Sequence, residues 1–179
     1  MKTILGFAGS NSITSINQQL VSFAVSLVKN TEAEVIRLSD YRMPIYSEDI
    51  EKESGFPKEL VALMEKIKAA DGLIIAMNEH NSGWSAFFKN TMDWLSRLDR
   101  SYLEGKQVLL LSTSPGGRGG QSSMEFAINN LPRVSATITD GITVPRFYDN
   151  FDTEQGRVSN PEIAAQIEAA VHKLEASLE

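Results

Sequence analysis

The chain has 179 residues, 42% of them hydrophobic and 22% charged, with a formal net charge of −6 and no cysteine. Such a composition supports one good core in a single domain over residues 1–179 and excludes disorder. The acidity argues against nucleic acid as the main partner, and the missing cysteines exclude disulfides, thiolate catalysis and zinc ribbons, in keeping with a reducing cytoplasm.

The chain opens with an apolar strand, Thr3–Ala8, whose hydrophobic run is too short for a signal peptide core. It leads into a loop of Gly, Ser, Asn and Thr, and a helix over Asn17–Lys29 begins near Ser15. A helix N-terminus carries N–H groups without internal partners and a dipole that favours anions. The loop therefore suits a phosphate monoester. Capping of the helix by Ser12, Thr14 or Ser15 explains the same residues equally well. A second strand, Glu34–Leu38, is followed by the longest irregular stretch, Asp40–Pro57, which reads either as a functional or subunit-contact loop or as a solvated excursion.

Next come a helix over Lys58–Ala70, a buried strand Gly72–Met77, a polar loop Asn78–Trp84, a helix over Ala86–Arg97 and a strand Gln107–Thr113. A glycine-rich loop then runs from Ser112 to Gly120. A helix over Ser122–Asn130, a strand Ala136–Val144 and a helix Pro161–Leu178, capped by Asn160, complete the chain. This alternation predicts an α/β fold: a doubly wound five-stranded parallel sheet, strand order 2-1-3-4-5, with helices on both faces. No apolar run approaches the length of a membrane span. Ligands in such sheets bind beyond the carboxyl ends of the strands, at the switch in strand order. The three polar loops after strands one, three and four all fall on that edge.

Single motifs are weaker. The Gly116–Gly120 run lacks the spacing of a dinucleotide fingerprint and follows the wrong strand, and no phosphate-loop triphosphatase motif occurs. Its glycines read as room for a flat ligand, or as a mobile turn. With only His80 and His172, a multi-histidine metal site is not expected. His80 falls in a ligand loop, and His172 reads as surface. Gly83-Trp84-Ser85-Ala86-Phe87 has the placement of a nucleophile elbow but lacks its second glycine. Trp94 and Phe88 read as core, Trp84 as a pocket wall, and Lys89–Asp93 as an ordinary exposed helix turn.

Taken together, the motifs resemble those of the NADPH-dependent FMN reductase family of flavodoxin-like proteins, which includes quinone and azo-dye reductases. Gly9-Ser10-Asn11-Ser12-Ile13-Thr14-Ser15-Ile16-Asn17 resembles its first signature, G-S-x-R-x-x-S-x-N. Asn78 to Trp94, with Lys89-Asn90 and Asp93-Trp94, resembles the second, and Ser114 to Gly120 the third. Met43-Pro44-Ile45-Tyr46 resembles a further L-P-x-Y segment. The resemblance implies FMN as cofactor, its phosphate held by Ser10, Ser12, Ser15, Ile16 and Asn17. Asn78, Glu79, His80, Asn81, Ser82 and Gly83 would run along the ribityl chain and ring edge, and Ser114, Pro115, Gly116 and Gly117 would close the other side. It further implies NADPH or NADH as electron donor and a small acceptor: free flavin, quinone or azo compound. No catalytic side chain or metal is implied, nor a nucleic-acid or membrane partner. A homodimer or homotetramer is, with contacts at Asp40–Pro57 and the start of the fourth helix. Three departures stand out: Ser12 replaces the family arginine beside the phosphate, Asn78 and His80 replace a Pro and a Tyr, and Gly83-Trp84-Ser85 is a reworked corner.

Overall fold

The computed structural model describes residues 2–178. Strands β1 (Thr3–Ala8), β2 (Glu32–Val35) and β3 (Gly72–Met77) are followed by a short antiparallel hairpin of β4 (Glu79–His80) and β5 (Gly83–Trp84). Strands β6 (Gln107–Thr113) and β7 (Thr137–Val144) complete the main sheet, and a second hairpin pairs β8 (Phe151–Asp152) with β9 (Arg157–Val158). The main sheet is parallel throughout, in the order β2-β1-β3-β6-β7. Counting only its own strands, this is the expected 2-1-3-4-5 order. The helices are α1 (Ile16–Ser26), α2 (Glu48–Ser54), α3 (Lys58–Ala69), α4 (Ala86–Leu98), α5 (Gln121–Asn130), α6 (Phe147–Asn150) and α7 (Pro161–Ala176).

The central strands are apolar on both sides because each side meets its own helix layer. Leu5, Phe7, Leu73, Ile75, Val108 and Leu110 join a core with Leu60, Leu63, Phe88 and Trp94 from α3 and α4. Their neighbours Ile4, Ala8, Ile74, Ala76, Leu109 and Leu111 join Leu20, Val21, Ile167 and Val171 from α1 and α7. The second strand lies earlier than expected. Glu32 and Glu34 form an exposed edge ladder with β1, while the apolar residues Ile36 and Leu38 turn inward after the strand has ended. At the other edge, the register slips between Val108 and Leu109, and the extra residue Thr139 donates its hydroxyl to Val108 O.

The Asp40–Pro57 stretch contains α2, which buries no side chain and so shows no apolar periodicity. Asn90 on α4 anchors the preceding loop: its Nδ2 donates to Pro44 O at 2.9 Å and its Oδ1 accepts from Tyr46 N at 2.8 Å. Trp94 Nε1 also donates to Pro44 O at 2.8 Å.

Far from this loop, the 5%-exposed Glu175 of α7 fastens the chain between α1 and β2. Its Oε1 accepts from Lys29 N, Asn30 N and Thr31 Oγ1 at 3.0, 2.7 and 3.2 Å. Burial pushes this carboxyl up, but the Asn30, Lys29 and Thr31 donors outweigh burial and hold it below the ordinary carboxylate range. A depressed carboxylate stabilises the fold above its unfolded pKa, and that stability is lost as pH falls through the folded value. Glu175→Gln should therefore cost about 1–3 kcal/mol near neutral pH, the penalty for weakening a buried charged acceptor. Thermal unfolding should show the parent's advantage shrinking in acid below about pH 4, where the unfolded carboxyl is protonated. A difference independent of pH would contradict this.

Candidate functional site

Ser15 is the N-cap of α1, with its Oγ accepting from Gln18 N at 3.1 Å, so the capping explanation holds for this residue. The loop before it is organised by its own hydroxyls: Ser10 Oγ accepts from Ser12 N and Ser12 Oγ from Thr14 N. Behind it, Arg37 Nη1 donates to Ile13 O at 3.3 Å. Asn17 is almost fully buried and bonds the end of β6 in both directions. Its Oδ1 accepts from Thr113 N at 3.0 Å, and its Nδ2 donates to Thr113 O at 3.1 Å.

These contacts bring the three polar loops to one cleft of about 270 Å³ beyond the carboxyl ends of the strands. Ser10, Ser12, Ser15, Ile16 and Asn17 line it from the first loop, Asn78, Glu79 and His80 from the second, and Ser114 and Pro115 from the third. A hollow of about 280 Å³ beside Ile4, Glu34, Lys66 and Ala70 is no smaller, but it lies at the amino ends of β1 and β2, away from those loops.

The remaining residues named from sequence sit apart from the cleft lining. Asn81 and Ser82 form the turn of the β4–β5 hairpin with φ of 51° and 62°, and Gly83 pairs with His80. A two-residue hairpin turn requires such left-handed backbone, which asparagine tolerates. Gly116 and Gly117 are exposed on the third loop. The last two glycines of that loop are structural: Gly119 and Gly120 have φ of 60° and 82°, and a Cβ on Gly119 would come within 2.8 Å of the Val144 backbone. The flat-ligand reading therefore fits only the first half of the run.

Several side chains are committed to the scaffold. Glu79 Oε2 accepts from Ser123 N at 3.0 Å, placing an anion on the first turn of α5. Ser85 is buried as the N-cap of α4 and donates to Gly9 O at 2.8 Å, so it is not a nucleophile, and the elbow reading falls. Trp84 lies away from the cleft lining, edge-on to Phe88 and Phe126 at 5.0 and 4.8 Å. Phe88 and Trp94 are core, as expected. His172 is exposed on α7. Lys89 and Asp93 form an exposed i,i+4 ion pair, but Asn90 between them is the loop anchor described above.

Inside the cleft, Asn78 Nδ2 lies 3.4 Å from His80 Nε2, and Asn78 Oδ1 is buried without a partner. Sequence reasoning missed three lining residues: Thr14, Thr113 and Tyr148. Tyr148 comes from α6, after the last sheet strand, and is 66% exposed. Its signal would have been an aromatic residue in a polar segment following a strand end. Among the described residues no cluster of His, Asp and Glu could hold a metal ion. Among the described residues no helix is long and apolar enough to cross a membrane.

Comparison with known proteins agrees with this fold. Residues 2–148 match the family model described as NADPH-dependent FMN reductase. An uncharacterized protein of Mycoplasma pneumoniae is 32% identical over 149 residues, covering 80% of this chain and 87% of that one. A quinone reductase of Escherichia coli K12 is 44% identical over 78 residues, but the match spans only 44% of this chain and 42% of that protein. Among solved structures, FerB, a flavoenzyme NAD(P)H:(acceptor) oxidoreductase of Paracoccus denitrificans, superposes with a TM-score of 0.76. It is 22% identical and covers 98% of both chains, a likeness of fold. The chain belongs to the NADPH-dependent FMN reductase family, oxidoreductases with FMN as cofactor and NAD(P)H as electron donor.

Proposed function

We propose that this chain passes hydride from NADPH or NADH to FMN held in the three-loop cleft, and on to a small acceptor such as free flavin, a quinone or an azo compound. The observation that carries the reading is the convergence of hydroxyl groups and a helix N-terminus at one end of the cleft with a polar second loop at the other. The donor set fits the cofactor. Ser10, Ser12 and Thr14 offer hydroxyls, and the first turn of α1 at Ile16 and Asn17 offers N–H groups suited to a phosphate. The orphaned Asn78 Oδ1 is an acceptor suited to a ribityl hydroxyl or a ring N–H. FMN supplies the redox chemistry when bound. The protein's part is to bind and orient through Ser10, Ser12, Ser15, Ile16, Asn17, Asn78, His80, Ser114 and Pro115, and no side chain is assigned as acid or base. Asn81, Ser82, Gly83, Gly116 and Gly117 would act from the rim, and Glu79 through the position of α5.

The same reading places the protein in the cytoplasm as a homo-oligomer. The exposed Ile45 and Phe56 in the Asp40–Pro57 stretch are where a second copy would meet it. A non-enzymatic electron carrier would hold FMN without turning over NAD(P)H, and a flavin-free binding module would take up no FMN. An absorbance spectrum with added FMN, followed by NAD(P)H oxidation with a quinone, separates all three.

Two of the phosphate-loop residues should respond differently to alanine. Asn17→Ala removes both bonds to Thr113 and should lower stability by about 1–3 kcal/mol, because it strands buried backbone groups. Ser10→Ala, on the partly exposed loop, should weaken FMN binding with little change in melting temperature. The pair thus separates a scaffold role at Asn17 from a ligand contact at Ser10. Thermal unfolding and FMN titration of each variant provide the check.

The cleft lining contains neither Lys nor Arg. A charge-assisted hydrogen bond contributes about 1.5–3 kcal/mol, whereas a helix dipole at an exposed site adds only about 0.3–1 kcal/mol. Ser12→Arg should therefore tighten FMN binding by roughly one to two powers of ten, since about 1.4 kcal/mol is tenfold. Titrations of both apo proteins at two salt concentrations test this. Equal affinities would mean that another group already neutralises the phosphate.

A further inference from the structure

While the cleft itself carries no cation, two arginines flank its rim beyond Pro115. Arg118 lies exposed on the third loop, its Nη2 donating to Ser122 Oγ at 3.3 Å. Arg146 lies exposed just after β7, and its N–H donates to Gly116 O at 2.9 Å. Its Nε stands 3.9 Å from the place a Cβ on Gly117 would occupy, so the glycine pair leaves that guanidinium uncovered. Neither arginine takes part in any ion pair of the described residues.

The backbone of Arg146 is unusual. Its φ is 45° and ψ 62°, a left-handed conformation that costs free energy for any residue with a Cβ. Glycine would take it without strain, yet the chain has a long cation there. Immediately after it, Phe147 is fully buried and Tyr148 reaches the cleft. The turn therefore sets an aromatic ring on the cleft wall and a guanidinium beside Gly117 of the third loop.

We propose that Arg118 and Arg146 bind the phosphate groups of the nicotinamide dinucleotide, outside the part of the cleft that holds FMN. The proposal rests on the function given above. A donor whose nicotinamide enters the cleft has its adenosine and phosphates directed outward over the rim, and unpaired guanidiniums bind phosphate oxygens in a bidentate manner. A chain with net charge −6 repels an anionic dinucleotide at long range, so a local cationic rim also sets where it docks. The residues that would hold the FMN phosphate, Ser10, Ser12, Ser15, Ile16 and Asn17, lie at α1, which leaves these two side chains for the second nucleotide.

The test uses FMN-loaded protein titrated calorimetrically with NADP+, NAD+ and 2′,5′-ADP. Arg118→Gln combined with Arg146→Gln should weaken NADP+ binding roughly 10- to 100-fold, with FMN affinity unchanged. A loss confined to NADP+ and 2′,5′-ADP assigns the contact to the 2′-phosphate, and a loss shared by NAD+ assigns it to the diphosphate. Arg146→Lys should recover part of the affinity. Arg146→Gly should keep or raise the melting temperature while losing NADP+ affinity, because it relieves the backbone but removes the charge. Unchanged NADP+ affinity in the double variant overturns the proposal, as does an Arg146→Gly protein that melts lower yet binds normally. A parent that binds no FMN overturns the underlying function instead.

Discussion

The cleft depends on the reciprocal amide pair between Asn17 and the backbone of Thr113. At the end of β6 the ladder with β3 runs out after Ser112, and both backbone polar groups of Thr113 are taken by the side chain of a residue 96 positions earlier. The first turn of α1 is thereby fixed across the ends of β1, β3 and β6. Two further ties close the arrangement: Gly9 N donates to Ala76 O, and Ser85 Oγ donates to Gly9 O. Gly9 itself leaves no room for a side chain, since a Cβ would stand 2.8 Å from Phe88 Cγ. Each buried bond is worth about 1 kcal/mol when made and more when broken. The loops are thus set in place by the scaffold before any ligand arrives.

The residues that most resemble the family's motifs divide between this cleft and a second task. Asn90 and Trp94 do not approach the cleft lining. They hold Pro44 and Tyr46, and Tyr46 in turn donates its hydroxyl to Glu51, which Arg97 also contacts at 2.9 Å. The hydrogen bonds from Arg97 and Tyr46 hold the Glu51 carboxyl below its usual range. A long loop with almost no core of its own is fastened to α4 in this way. A shared signature therefore records scaffold and site together, and only the geometry tells them apart.

Much of the fold was legible in the sequence because the central strands are apolar on both faces and bounded by glycine and polar loops. β1, β3 and β6 fall where periodicity puts them. The edges were harder: β2 is an exposed ladder rich in glutamate, so hydrophobicity pointed a few residues downstream. α2 fully buries no side chain, and only Ser47 and the acidic first turn announced it. The β4–β5 hairpin, with two residues per strand, is too short for any periodic signal. At the site, the three loops could be read because strand order determines which loop ends meet. Strand order does not place Tyr148 and Arg146, because they lie past the last strand of the main sheet, after a turn whose left-handed backbone at Arg146 no local motif encodes.

The distribution of charge follows from the same geometry. Buried cations at the cleft floor would need partners there, and isolated charges removed from water are costly. The floor is instead built from hydroxyls, amides and a helix terminus, which present partial charge already fixed by the backbone. Arg37 stands behind the first loop, tied to Ile13 O, and Arg118 and Arg146 stand in front of the third. Apart from Glu79, whose carboxylate in the cleft lining accepts from Ser123 N, full charges thus remain solvated at the periphery, where their range is limited by salt to about 8–10 Å. An anionic ligand that reaches the floor exchanges water for weak, oriented donors, while one that stays at the rim meets strong, mobile ones. On this division, a cofactor seated on the floor would be held by shape and many small contacts, and a nucleotide docking at the rim by a few strong ones. That arrangement would let the second ligand come and go without loosening the first.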